Sequence, residues 1–319
     1  MKMIITLLLA VLLLSACTGS KQEPVEEVKV EDLTIVTPKG APVLAFYDQI
    51  SNENYTGVAA DAINALWTGD NSPEVIVVDL SSGVKAIKNG ADYKLTAVIT
   101  FGNFYLAATG NDEDETMNEG DTIVLFGTEN MLPSKIWHYL YGNTYDETLK
   151  YEADAQTAAA DLTKGADLEG TPVDYVFVAQ PALFAALKNN ENASLYADIQ
   201  KEYKDKSGMD MIQASVFVKN TVPQATGEAF LSNLQTSIEK AIENPELVSE
   251  GLSVYQDDEA TAQYGFNPKV VVNVFKMKNA LGINAMGLGF KKAADIKSDI
   301  DAFLNVLGME GTSEEIYFK

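Results

Sequence analysis

From residue 33 onward, short runs of β-branched and apolar residues alternate with stretches of helical periodicity. This alternation constrains the fold more than any other feature, because strands that alternate with helices assemble into α/β layers rather than a sandwich or a bundle. Strands are predicted at residues 33–37, 75–80, 95–99, 122–126, 175–179 and 214–218. Several are apolar almost throughout, as expected of parallel strands covered on both faces. At 58–67, apolar side chains recur at Val58, Ala62, Ala65 and Leu66, which predicts a helix. Pro133 and Pro181 precede helical stretches at 134–141 and 182–188, and a proline's missing N–H is tolerated at a helix start. Phe230, Leu234, Ile238 and Ile242 recur at steps of four over 227–242. In 290–304, Ala293, Ile296, Ile300 and Phe303 form one stripe, which predicts a surface helix. No internal repeat is visible.

Composition narrows the chemistry. With 46% hydrophobic and 22% charged residues over 319 positions, the chain is of the soluble globular class. It carries 46 acidic and 23 basic residues, a net charge of −23, which repels phosphate backbones and argues against a nucleic-acid partner. Every basic residue is Lys; there is no Arg. A bound anion would therefore lack the planar fork that grips carboxylates and sulfonates with two parallel hydrogen bonds. One His and one Cys cannot build a Cys/His zinc site. Gly282 and Gly287-Leu-Gly289 lack the spacing of a dinucleotide loop. No metal and no cofactor is expected.

The start of the chain reads as an address. Lys2 is followed by a run from Met3 to Leu14 that is apolar except for Thr6. This is shorter than the roughly 17–25 residues that span a bilayer, but fits the core of a signal peptide. Leu14-Ser-Ala-Cys17 resembles the lipobox of bacterial lipoproteins. That resemblance implies a signal peptide over 1–16, cleavage before Cys17 and a lipid on its sulfur. Residues 17–32 read as a polar, lipid-anchored flexible tether. The folded part is expected outside the cytoplasm, at the outer face of the cell membrane, touching the bilayer only through its lipid.

The acidic stretch 111–121 (NDEDETMNEGD) interrupts the apolar pattern. It lacks the ligand ladder of an EF-hand and reads as a solvated loop where the chain crosses between two lobes. Residues 95–109 and 214–220 are the candidate connections. Lobe 1 is then 33–109 plus 218–319, and lobe 2 is 110–217.

Four segments carry a wider resemblance. They are Thr37-Pro-Lys-Gly-Ala-Pro42, residues 93–105 (YKLTAVITFGNFY), 174–181 (DYVFVAQP) and 213–219 (QASVFVK). In this order they resemble the substrate-binding lipoproteins of ABC importers, in the NMT1/THI5-like or sulfonate/nitrate/taurine-type branch. The resemblance implies a type II periplasmic-binding-protein fold: two α/β lobes, two hinge strands and a ligand cleft between them. The absence of Arg departs from a sulfonate or nitrate site.

Such a cleft lies beyond the carboxyl ends of strands. Gly40, Ala41 and Pro42 follow the first strand, with backbone N–H groups as candidate donors. Ser81, Ser82 and Gly83 follow the second, where serine caps a helix or offers a hydroxyl. Thr100 and Asn103 follow the third. Thr128 and Ser134 follow the fourth. Gln180 precedes Pro181, and Gln213 precedes the return strand. These amides and hydroxyls suit a small molecule, with an uncharged or aromatic one favoured. Trp137, His138, Tyr139 and Tyr141 form either an aromatic platform or the packed core of lobe 2. The expected role is capture of a small organic molecule and delivery, as a monomer, to an ABC permease. The alternatives are a surface adhesin or sensory module, or an enzyme of the same fold using Lys39 and Asp79.

Overall fold

The computed structural model describes residues 28–111, 116–255, 257–268 and 283–318. The signal segment 1–16, Cys17, the tether up to residue 27 and Gly282 lie outside the described residues.

The strands in chain order are β1 (Ile35–Pro38), β2 (Tyr55–Val58), β3 (Val75–Asp79), β4 (Tyr93–Thr100), β5 (Phe104–Ala108) and β6 (Ile123–Phe126). Then follow β7 (Leu149–Glu152), β8 (Tyr175–Ala179), β9 (Ser194–Asp198), β10 (Ala214–Lys219) and β11 (Leu288–Lys292). They form two sheets, β11-β4-β10-β3-β1-β2 and β7-β6-β8-β5-β9. The helices around the first sheet include α1 (Leu80–Lys88), α6 (Gln224–Glu243), α7 (Glu246–Leu252), α8 (Asp257–Tyr264) and α9 (Lys297–Val306). Those of the second are α2 (Leu132–Tyr141), α3 (Ala155–Lys164), α4 (Ala182–Asn189) and α5 (Ile199–Ser207). This is the two-lobed α/β architecture expected from the sequence.

Hydrophobicity did not report strand direction. β1 pairs parallel with β2 and β3, and β6 with β7 and β8. The equally apolar β10 lies antiparallel between β3 and β4, and β5 lies antiparallel to β8 and β9. Both are buried on two faces, and burial rather than polarity of the chain sets the composition.

Helices cover those faces. Phe230, Leu231, Leu234 and Ile238 of α6 are buried with Val43, Leu44 and Phe46 against Val75, Val77, Ala97 and Val216 of the first sheet. Ala158, Ala159 and Leu162 of α3 pack with Leu183 of α4 on Val176 and Val178 of the second. A third cluster is shared. It runs from Ile76, Leu95 and Phe217 through Ile199, Tyr203 and Met211 to Phe104, Phe177 and Trp137. The two sheets therefore have separate outer cores and a common apolar spine.

Four expectations are corrected. The helix expected over 58–67 is β2 followed by a 3-10 turn, Ala60–Ala65. The stripe over 290–304 begins instead as edge strand β11, pairs with β4, and becomes α9 only after a second 3-10 turn. Its later members Ile300 and Phe303 are buried as the helical period requires. The acidic stretch 111–121 joins β5 to β6 inside the second sheet and does not cross between sheets. The chain changes sheet at residues 101–103 and returns at 208–213, because Phe104 already pairs with Ala179 and Ala214 with Asp79. Finally, residues 28–32, expected in the tether, are joined to the folded part, with Val28 and Val30 packed against the first sheet's core. The Val28 carbonyl accepts a hydrogen bond from Thr226 Oγ1 (2.8 Å), and that of Glu31 from Asn54 Nδ2 (3.1 Å).

Candidate functional site

The strand registers put the carboxyl ends of the parallel strands on facing edges. In the first sheet the edge comprises the ends of β1, β3 and β4 and the start of β10, since Asp79 pairs with Ala214 and Val98 with Ser215. In the second it comprises the ends of β6, β7, β8 and β9 and the start of β5, since Phe104 pairs with Ala179 and Tyr105 with Asp198. The short connection 101–103 joins the two edges, so they form one seam. In α/β proteins such edges collect loops and helix starts, and hence ligands.

At the centre of the seam stand three amide side chains. Asn103 and Gln180 are each 2% exposed. The two residues clasp each other: the Gln180 N–H donates to the Asn103 carbonyl (3.0 Å), and Asn103 Nδ2 donates to the Gln180 carbonyl (3.0 Å). Gln180 Oε1 in turn accepts from the Phe184 N–H in the first turn of α4 (3.3 Å). These bonds fix which end of the Asn103 and Gln180 amides is oxygen. They leave Asn103 Oδ1 and Gln180 Nε2 buried and without a partner among the described residues, and Gln213 Oε1 shares that condition. Gln213 closes the return crossing: its N–H donates to the Thr100 carbonyl (3.0 Å) and its carbonyl accepts from the Leu80 N–H (3.2 Å).

The other predicted residues divide. The Thr100 hydroxyl is fully buried and accepts from the Ala214 N–H (2.9 Å), tying β4 to the return strand. The Gly40 N–H donates to the Tyr264 carbonyl (2.8 Å), while Ala41 and Pro42 are buried in the turn Ala41–Phe46. At α1 the cap is Asp79, not Ser81. Asp79 Oδ1 accepts from the Ser82 N–H (3.0 Å) and from the Ser81 hydroxyl (2.6 Å). Gly83 lies inside α1, where a Cβ would stand 2.0 Å from the Phe217 ring. It permits close packing and makes no turn. Thr128 is exposed beyond β6. Ser134 is fully buried in α2 and bonded to Tyr151 (3.1 Å) and His138 (3.3 Å). Trp137 is also fully buried, its ring 4.4 Å from Tyr141 and 5.7 Å from Tyr145. Trp137 is core, Tyr139 and Tyr141 pack half-buried against it, and His138 turns outward to Asp146 (3.1 Å).

Sequence reasoning missed the residues that bridge the seam. The Tyr105 hydroxyl, kept protonated by burial, donates to the Ala285 carbonyl (3.0 Å). Gln156, at the start of α3, donates to the Gly265 carbonyl (2.7 Å). Lys291 lies over the Phe101 ring at 4.9 Å and pairs with Asp210 (3.0 Å), whose second oxygen meets Lys204 (2.7 Å). Hydrogen bonds from these two lysines hold the Asp210 carboxyl below the usual carboxylate range. Gly287 has φ +66°, and a Cβ there would lie 1.8 Å from the Gly102 carbonyl oxygen. The glycines noted at 287–289 thus allow backbone contact with the first crossing. None of these partners is adjacent in sequence, so no spacing rule could find them.

Lys39 is exposed at the end of β1 and Asp79 is engaged as a cap, so the two do not form a buried acid–base pair. Among the described residues no group of three or more His, Cys, Asp or Glu could hold a metal ion. A groove of about 480 Å³ lies at the opposite edge of the first sheet, lined by Lys94, Asn220, Val222, Tyr317 and Phe318 among others.

With this geometry in hand, the comparisons decide the fold. An ABC transporter protein of Parabacteroides distasonis superposes with a TM-score of 0.70 at 19% identity, covering 90% of this chain and 98% of its own. The periplasmic aliphatic sulphonate binding protein of Escherichia coli gives 0.60 at 11% identity, covering 86% and 85%. The zinc-bound ligand binding component of an ABC-type import system from Staphylococcus aureus gives 0.59 at 11%, covering 90% and 96%. The chain has the two-lobed periplasmic-binding-protein fold. No protein-family model matches it, and no curated protein matches it in sequence.

Proposed function

We propose that this chain is an extracytoplasmic solute-binding lipoprotein that captures a small organic molecule between its lobes and delivers it to the permease of an ABC importer. The observation that carries the reading is the seam: the carboxyl ends of β1, β3 and β4 face those of β6, β7 and β8, around buried amides with unfilled hydrogen-bonding capacity. The likeness in fold to importer binding proteins supports it. Two crossings, 101–103 and 208–213, let the lobes part and close, and a solute that touches both lobes favours the closed form. The lipid on Cys17 holds the protein at the outer face of the cell membrane, and it acts as a monomer. A chain without Arg favours an uncharged or aromatic solute.

The test is native mass spectrometry on the full-length chain purified from membranes, followed by thermal shift against vitamins, pyrimidines, sulfonates and amino acids. A co-purified solute, or a rise in melting temperature with one compound class, is the expected result. A ligand at a hundred times its Kd adds about 2.7 kcal/mol. A well-folded chain that carries nothing and responds to nothing overturns the reading. Separately, Cys17→Ala is expected to move the protein out of the membrane fraction.

A further inference from the structure

We propose that residues 285–291 form a latch across the hinge, and that the buried hydrogen bond from Tyr105 to Ala285 holds the lobes in their present form. The inference rests on the solute-binding reading above, because it names what sets the balance between parted and closed lobes.

Seven residues touch every part that must move. Ala285 is buried in the outer core of lobe 2, and among the described residues it is the one member of that cluster from outside the lobe. Its neighbour Met286 is buried in the outer core of lobe 1. Gly287 then lies on the first crossing. Its carbonyl accepts from the Phe101 N–H (2.7 Å), and its missing Cβ leaves room for the Gly102 carbonyl. From Leu288 the segment is β11, paired with β4 of lobe 1. Lys291 reaches Asp210 in the second crossing (3.0 Å), and Asp210 reaches Lys204 on α5 of lobe 2 (2.7 Å). The β11–β4 ladder ties the segment to lobe 1, so parting of the lobes must withdraw Ala285 from lobe 2.

Water treats the contacts across the seam differently. The Gln156 bond to Gly265 is exposed, and the Lys291–Asp210 pair is partly solvated. Water replaces the first and screens the second. Tyr105 and Ala285 are only 2% and 4% exposed. Burial keeps the Tyr105 hydroxyl protonated, so its one proton is always there for the Ala285 carbonyl (3.0 Å). Without that donor the carbonyl is buried and unpaired in the present form, whereas parting the lobes returns it to water. Phe184 of α4 makes the reverse reach, partly buried against the core of lobe 1. It adds packing, which has no preferred direction. The Tyr105 bond is thus the contact whose loss is felt in one form of the molecule and relieved in the other.

The experiment reads the lobes directly. Spin labels on Lys39→Cys and Thr128→Cys, exposed at the seam edges of lobe 1 and lobe 2, are placed in the full-length Cys17→Ala chain. Pulsed electron resonance gives the distribution of distances between them with no solute added. Tyr105→Phe keeps the ring packed in lobe 2 and removes the donor. In the labelled chain it is expected to raise the ratio of parted to present form about tenfold. Gln156→Ala and Lys291→Met are each expected to raise it no more than about fivefold. An unchanged distribution in Tyr105→Phe, even with a lowered urea midpoint, makes Tyr105 a packing residue of β5 and overturns the inference. So does a larger shift from Lys291→Met than from Tyr105→Phe, which would give the hinge to the ion pairs. Both outcomes leave the solute-binding reading standing, because the labels report without a solute. Silence in the mass-spectrometry and thermal-shift test overturns that reading whatever the labels show.

Discussion

Asp161 is fully buried on α3, and neither of its carboxylate oxygens has a hydrogen-bond partner among the described residues. Burial first, then the charges of Glu152 and Asp167, push its pKa up to about 6. Unfolded, it titrates near 4. Between about pH 4 and pH 6 the folded chain therefore holds a proton that the unfolded chain has released. Stability falls as pH rises through that window, and the loss is complete above it. Asp161→Asn is expected to raise the unfolding free energy at pH 7.5 by roughly 2 kcal/mol and to change it little at pH 4. Urea denaturation at the two pH values reads this, and an equal effect at both would assign it to packing instead of charge. Nothing in the sequence marked this carboxylate: its spacing on α3 is that of a helix, but only the packing of α3 over the sheet decides that its side chain is enclosed.

At the scale of the element, α1 shows how a local signal can be right in place and wrong in role. Ser81, Ser82 and Gly83 do follow a strand, yet they form the first turn of α1 and the cap is the Asp79 before them. Gly83 sits against Phe217, whose ring also packs edge-on to Trp67 at 5.5 Å. Gly83→Val is expected to destabilise the fold by about 1–3 kcal/mol, because a core at full density cannot absorb the added methyls. Phe217→Leu in the same chain should recover part of that loss by giving ground at the contact. The urea midpoints of the two single variants and the double variant test this coupling, and strict additivity would show that α1 had simply shifted.

The whole molecule is held in its present form by contacts that span the seam. Gln156 reaches Gly265, Tyr105 reaches Ala285, and Lys291 and Asp210 brace the two crossings. The ion pair is partly solvated and contributes at most about 1 kcal/mol. The Gln156 bond is exposed and replaceable by water, so Gln156→Ala is expected to leave the unfolding midpoint unchanged. In the proposed movement of the lobes it should favour the parted form by no more than about fivefold, equivalent to at most about 1 kcal/mol. Small-angle scattering on the ligand-free chain would read this as a larger radius of gyration. An unchanged radius with an unchanged midpoint would mean that the Gln156 contact does not restrain the lobes.

Strand composition and turn chemistry made much of this molecule legible. The six predicted strands lie in the sheets because short runs of β-branched residues pack well on a pleated, buried surface, and Gln180 and Asn103 stand at strand ends where spacing put them. Strand β5, apolar and buried, lies in what the sequence presents as the tail of the connection 95–109. Strands β2, β7, β9 and β11 were hidden because their faces are only half covered, so their sequences carry charged and polar residues and no apolar run. Strand direction, the positions of the two crossings and the contacts across the seam were hidden for a different reason. Each depends on which segments, far apart in the chain, share an edge, as β4 does with β11. By itself the sequence determined the α/β class, the chemical types of the groups at the seam and the absence of Arg. Only the tertiary structure decided which of those groups are engaged and which remain free, since a hydrogen bond is assigned by distance and direction, and residue identity supplies neither.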